Sequence, residues 1–139
     1  MISKRRIIAG IITFIVLLIL LSYIPLRLKE VLINYLDKYL SISQFISSIL
    51  PIIGVILAVS IALSVVLKKT KAYGLTIIIS SILWILYIYV ALNGGQIYLT
   101  INYPYYFIII IDFKFLMFMI FIPILLDLIK GIIIALKRK

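Results

Sequence analysis

Three stretches of this chain carry no charged residue: Ile7–Ile24, Phe45–Leu67 and Ala72–Leu92. A hydrocarbon core about 30 Å thick is crossed by about 20 mostly apolar residues in a helix. Only a structure that satisfies its own backbone survives there. Each stretch is therefore predicted to be a transmembrane helix. A fourth is predicted within Phe107–Leu136, a run too long for one simple crossing that contains Asp112, Lys114, Asp127 and Lys130. Its hydrocarbon portion is placed at about 113–134, with the carboxylates towards its two ends. The chain is 66% hydrophobic and 13% charged, whereas soluble domains average about 45–50% and 25%. The expected fold is an all-α membrane protein, a single domain over residues 1–139. Its four transmembrane helices lie at about 7–24, 45–67, 72–92 and 113–134. An external amphipathic helix over 26–40 and an external loop or β-segment over 93–106 complete it.

Basic residues set the expected orientation. Lys4, Arg5 and Arg6 precede the first span; Lys68, Lys69 and Lys71 join the second and third; Lys137, Arg138 and Lys139 follow the fourth. With Lys130 these are ten basic residues on one side against Asp127, and the other side holds Arg27, Lys29, Lys38 and Lys114 against Glu30, Asp37 and Asp112. Both termini and the short basic loop are thus predicted to be cytoplasmic, in a multi-pass protein of the cell membrane. Lys4–Arg6 also resembles the charged start of a signal peptide. The apolar run that follows is long for that, and Leu21–Pro25 has no small-residue cleavage pattern, so an uncleaved anchor is expected. The net charge of +10 is gathered at helix ends, where topology and anionic lipid account for it. Nucleic acid is not an expected partner.

In residues 25–44, Arg27, Glu30, Asn34, Asp37 and Ser41 recur every three or four positions among Leu28, Val31, Leu32, Tyr35, Leu36, Tyr39 and Leu40. That is a polar stripe on an apolar helix, opened by Pro25 and expected to lie in the outer interface. Asn93-Gly94-Gly95 signals a turn. Residues 96–103 then alternate, with apolar positions at Ile97, Leu99, Ile101 and Tyr103, before Pro104. A short strand fits, on which Phe107–Ile111 can pair back; an irregular apolar loop on the membrane fits as well. Of ten tyrosines, all but Tyr73 fall on the predicted outer side. Tyr98, Tyr103, Tyr105 and Tyr106 are candidate partner contacts, since aromatics are enriched in protein interfaces.

Gly54, Ala58 and Ala62 repeat every fourth residue in the second span, a spacing that lets helix backbones approach closely. They are expected to pack within the bundle. Ser60 and Ser64 form a second small pair. Ionisable residues in a membrane are candidate functional groups, here Asp112, Asp127 and Lys130. The two carboxylates are fifteen positions apart, about 60° in rotation and about 22 Å along a helix. Lys130 is placed to pair with Asp127, and Lys114 reaches the outer interface. Interfacial ion pairs at the helix ends are the favoured reading of these charges. Pro123 between them is expected to kink the helix, as a packing feature or as a hinge.

Histidine and cysteine are absent. Their absence from the sequence removes the usual near-neutral proton carrier and the thiolate, imidazole and haem-attachment ligands. No nucleotide-binding glycine pattern, nucleophile–base arrangement or carboxylate pair is present either, so no catalytic residue, metal or cofactor is expected. Bound lipid or quinone between helices needs no motif. The expectation is a non-catalytic accessory subunit of a larger membrane complex, respiratory or otherwise energy-transducing, among lipids and other integral membrane subunits. A small homo-oligomeric channel or carrier using Asp112 and Asp127 is the alternative, as is a viral membrane structural protein. The isoleucine-rich, alanine-poor composition has an archaeal cast.

Overall fold

A computed structural model describes residues 2–36, 40–41, 48–101 and 105–137. The chain is mostly helical. Helix α1 (Lys4–Leu18) passes through a π-helical turn (Ile19–Tyr23) directly into α2 (Ile24–Leu36). Helices α3 (Leu50–Val66), α4 (Tyr73–Ala91) and α5 (Lys114–Lys137) follow. Between α4 and α5 come a short turn of 3-10 helix (Asn93–Gly95) and the strands β2 (Gln96–Ile101) and β3 (Phe107–Asp112). A two-residue strand, β1 (Leu40–Ser41), precedes α3. Among the described residues three helices are long and apolar enough to cross a membrane: Lys4–Leu32, Tyr73–Ala91 and Lys114–Lys137. Helix α3, with 17 residues, is about 25 Å long and is a shorter apolar helix. Residues 45–47, where its span was expected to begin, lie outside the described residues.

The expected separate helix over 26–40 is corrected. It is the continuation of α1, and Pro25 does not break the two apart. Proline has no N–H for the carbonyl four residues earlier, here Leu21. The π turn shifts the register, so that the Ile24 amide donates to the Ile19 carbonyl. The buried hydroxyl of Tyr87, on α4, donates to the Leu21 carbonyl at 2.9 Å. The far end of that helix is corrected too: it is described as far as Leu36, whereas Leu40 and Ser41 are strand and pair with Ile101 and Thr100. The polar stripe is knitted locally: Arg27 pairs with Glu30 at 3.0 Å and lies over the Tyr23 ring, 5.5 Å from its centroid.

The helices form an antiparallel row, in which α3 packs against α1 on one side and α4 on the other, and α4 packs against α5. Small residues close two of these seams. A Cβ on Gly54 would collide with the Leu21 carbonyl, and one on Gly10 with Val66 and the Ala62 carbonyl. Ala58 is fully buried. Between α4 and α5, a Cβ on Gly74 would lie 2.6 Å from the Ala135 nitrogen and 2.8 Å from the Gly131 oxygen. The apolar core is Leu21, Leu50, Ile53, Leu57 and Tyr87. It gathers where α1 and α2 meet α3 and α4, nearer the strands than the Lys68–Lys71 loop.

The strands are antiparallel in the order β1-β2-β3, with Gln96 opposite Asp112 and Ile101 opposite Phe107. The turn into β2 needs backbone that only glycine or asparagine adopts easily: φ is 49° at Asn93, 71° at Gly94 and 90° at Gly95. The Phe113 amide then donates to the Gly95 carbonyl, which fastens the start of α5 to that turn. Among the described residues strand β3 is an edge of the sheet with no strand beyond it, and Phe107, Ile108, Ile109 and Ile110 on it are all exposed.

Candidate functional site: a polar groove between apolar helices

Two of the described cavities lie towards the lysine-loop end of the row. One, of about 320 Å³, is lined by Ile7, Gly10, Ile11, Phe14, Val59, Ala62, Leu63 and Val66 on α1 and α3. Its walls are hydrocarbon. The other, of about 210 Å³, lies where α3, α4 and α5 come together. Ser64 from α3 lines it, with Tyr73, Ile77, Ser80, Ser81 and Trp84 from α4 and Asp127 and Lys130 from α5.

The second cavity is polar because of how hydroxyls behave in an apolar helix. A serine there commonly gives its hydrogen to a carbonyl three or four residues back. Ser64 donates to Ile61 at 2.7 Å, Ser80 to Thr76 at 2.7 Å and Ser81 to Ile77 at 2.9 Å. Each hydroxyl has one hydrogen and two lone pairs. With the hydrogen committed, Ser64 and Ser81 offer the groove acceptors. Ser80 is tied further, since its oxygen lies 2.9 Å from that of Ser60. That bond couples α3 to α4 behind the groove wall.

Asp127 is corrected in both position and pairing. It lies thirteen residues after Lys114 and ten before Lys137, about 20 Å and 15 Å along the axis. It therefore sits deep within α5 rather than at its end. The ion pair expected with Lys130 is not formed. Among the described residues the one ion pair is Arg27–Glu30. The spacing would allow it, as Arg27–Glu30 shows at the same separation, but both side chains line the groove instead. Lys130 lies one residue before Gly131, the close-contact point with α4.

Asp112 is corrected as well. It is the last residue of β3, outside the helix, and its carboxylate accepts the Lys114 amide at 2.9 Å. That bond caps the start of α5, where amides lack partners and a negative charge is favoured. Of the cavities described among these residues, the one lined by Asp127 does not include Asp112. Pro123 is accommodated within a continuous α5.

Of the four tyrosines proposed as contacts, Tyr98 lies on β2, where its hydroxyl donates to the Gln96 side chain at 3.0 Å. Tyr105 and Tyr106 are 71% and 69% exposed. Tyr103 lies outside the described residues, as do Arg138 and Lys139. Lys4, Arg5, Arg6, Lys68, Lys69, Lys71 and Lys137 lie at helix ends or in the α3–α4 loop. Among the described residues no cluster of three metal-binding side chains exists. Sequence reasoning missed the groove. Its signal was Ser60 and Ser64 in one apolar span facing Thr76, Ser80 and Ser81 in the next, with the sole tryptophan beside them. Compared with protein-family models, curated proteins and solved structures, the chain has no match in any of the three.

Proposed function

We propose that this chain is a non-catalytic accessory subunit of a larger membrane complex, held against its neighbours by the strand edge and the flanks of its helix row. In this reading α3 is the fourth crossing. The termini and the Lys68–Lys71 loop are cytoplasmic, and the β-hairpin faces the other side. An energy-transducing complex, respiratory or otherwise, is the proposed host.

The observation that carries the proposal is β3. Among the described residues it is a six-residue edge with no strand beyond it, and Phe107, Ile108, Ile109 and Ile110 are between 44% and 59% exposed. Strand side chains alternate between faces, so both faces of this edge are apolar. Proteins ordinarily blunt such an edge with charge, proline or a bulge. An edge left open and apolar suits pairing with a strand from a neighbour. The exposed Tyr105 and Tyr106 beside it would widen that contact.

The test is gentle solubilisation of native membranes, capture of this chain and identification of what accompanies it. Stoichiometric recovery with other integral membrane subunits is expected. Recovery should be lost in an Ile108→Lys/Ile110→Lys variant that still inserts. A wild-type chain that migrates alone in mild detergent would contradict the proposal.

A further inference from the structure

We infer that the groove between α3, α4 and α5 is a binding site for a phospholipid headgroup that carries a primary ammonium beside a phosphate, the phosphoethanolamine class. The ammonium is received by the Asp127 carboxylate and the hydroxyl oxygens of Ser64 and Ser81, and the phosphate by Lys130. This site is separate from the strand edge and does not depend on the subunit reading.

The chemistry of the walls selects the ligand. Ser64 and Ser81 give their hydrogens to helix carbonyls and present lone pairs, and Asp127 adds a carboxylate. Such a surface calls for a donor-rich cation, and the half-buried Trp84 beside it is a face on which a cation is stabilised. A simple cation would, however, meet Lys130 in the same wall, and a simple anion would meet Asp127. A ligand with both charges a few ångströms apart satisfies both residues. Charge-assisted hydrogen bonds of this kind are the strong ones.

Size and position favour a lipid over a soluble zwitterion. About 210 Å³ is the room of roughly seven water molecules at about 30 Å³ each. That is below the range of about 300–1,000 Å³ usual for drug-sized ligands, and it suits a headgroup. The groove opens on the outside of an apolar helix row, and Leu126, next to Asp127 on α5, is 62% exposed, so acyl chains can lie along the surface beside it. An unpaired carboxylate facing lipid tails is costly. A headgroup drawn into the groove removes that cost without a second protein.

Trp84 is the sole tryptophan and reports on the site directly. The experiment titrates the full chain, in detergent micelles, with short-chain phosphatidylethanolamine, phosphatidylcholine or phosphatidylglycerol while Trp84 emission is recorded. Phosphatidylethanolamine is expected to give a saturable change with at least tenfold tighter binding than either other lipid. Phosphatidylcholine lacks the N–H donors, and phosphatidylglycerol lacks the cation. Binding should weaken at least tenfold in Asp127→Asn and in Lys130→Gln, the loss expected for one hydrogen bond to a charged group. Ser81→Ala should weaken it by a smaller factor and serves where the charge variants fail to fold, as judged by helicity. Free phosphoethanolamine binding as tightly as the lipid would overturn the lipid assignment. Equal response to all three lipids, or Trp84 emission that changes with protein concentration alone as a second copy covers the groove, would overturn the site.

Discussion

The two cavities towards the lysine-loop end differ in what they ask of their surroundings. The cavity beside Gly10, between α1 and α3, has hydrocarbon walls. Lipid tails fill such a space as well as any side chain does, because tails and leucines are equally apolar. The cavity beside Asp127 has hydroxyls, a carboxylate and an ammonium; tails offer nothing to the two charges or to the free lone pairs of Ser64 and Ser81. The first is a packing gap and the second is a demand for a particular occupant. Stability and function are thereby separated in this chain: the seams that hold the row together are built of glycine and alanine, and the groove is built of groups that contribute little to holding it.

The sharpest way to break that contrast is to fill a seam. Gly54→Val places a side chain against the Leu21 backbone, where neither partner can give way. A loss of about 3 kcal/mol is expected, at the upper end of ordinary overpacking, read from the midpoint of denaturation in mixed micelles. Gly74→Val should behave likewise at the α4–α5 seam. A cost below about 1 kcal/mol at both sites would mean that the seams are looser than described.

A smaller effect tests how Pro25 is accommodated. Tyr87→Phe removes the hydroxyl that donates to the Leu21 carbonyl, and about 1.5 kcal/mol should be lost. In a Pro25→Ala background the helix supplies its own amide to that carbonyl, so the same change should cost less. A double-mutant cycle in which the two effects simply add would remove the link between proline and tyrosine. Smaller again is Ser80→Ala, which deletes the bond to Ser60. Interhelical hydrogen bonds in membranes average about 0.6 kcal/mol, and that is the loss expected from the same denaturation. Last is Asp127→Asn, where no ion pair is lost. Without lipid, stability should not fall and is expected to rise as the unpaired charge is removed, while Trp84 ceases to respond to phosphatidylethanolamine.

The same contrast explains what could be read from the residues alone. The apolar runs mark helices because burial in lipid is decided by length and charge, both plain in sequence. The spacing of Gly54, Ala58 and Ala62 marks a close-packed face, though not which helix meets it; that is set by Gly10 and Leu21, 44 and 33 positions before Gly54. The alternation in 96–101 marks a strand, and the pairing of Phe107–Asp112 follows from the turn at Asn93–Gly95 and the rigid start of α5. Pro25 misled, because its effect depends on a π turn and on Tyr87, 62 positions away. The groove was illegible for a related reason. Ser64, Ser81 and Asp127 are unremarkable singly, and only the antiparallel stacking of three helices brings them to one place.

The account turns on whether the Asp127 groove is polar and the Gly10 groove is not. Leu63 and Ser64 are adjacent on α3 and at nearly the same depth, yet Leu63 lines the apolar cavity and Ser64 the polar one. The chain has no cysteine, so Leu63→Cys and Ser64→Cys each introduce a single thiol, reactive only as a hydrated thiolate. The measurement is the rate at which a water-soluble maleimide labels each variant in phosphatidylcholine vesicles. Ser64→Cys should label at least tenfold faster, although Leu63 is 48% exposed and Ser64 is less exposed than that. Equal rates, or faster labelling of Leu63→Cys, would contradict the account.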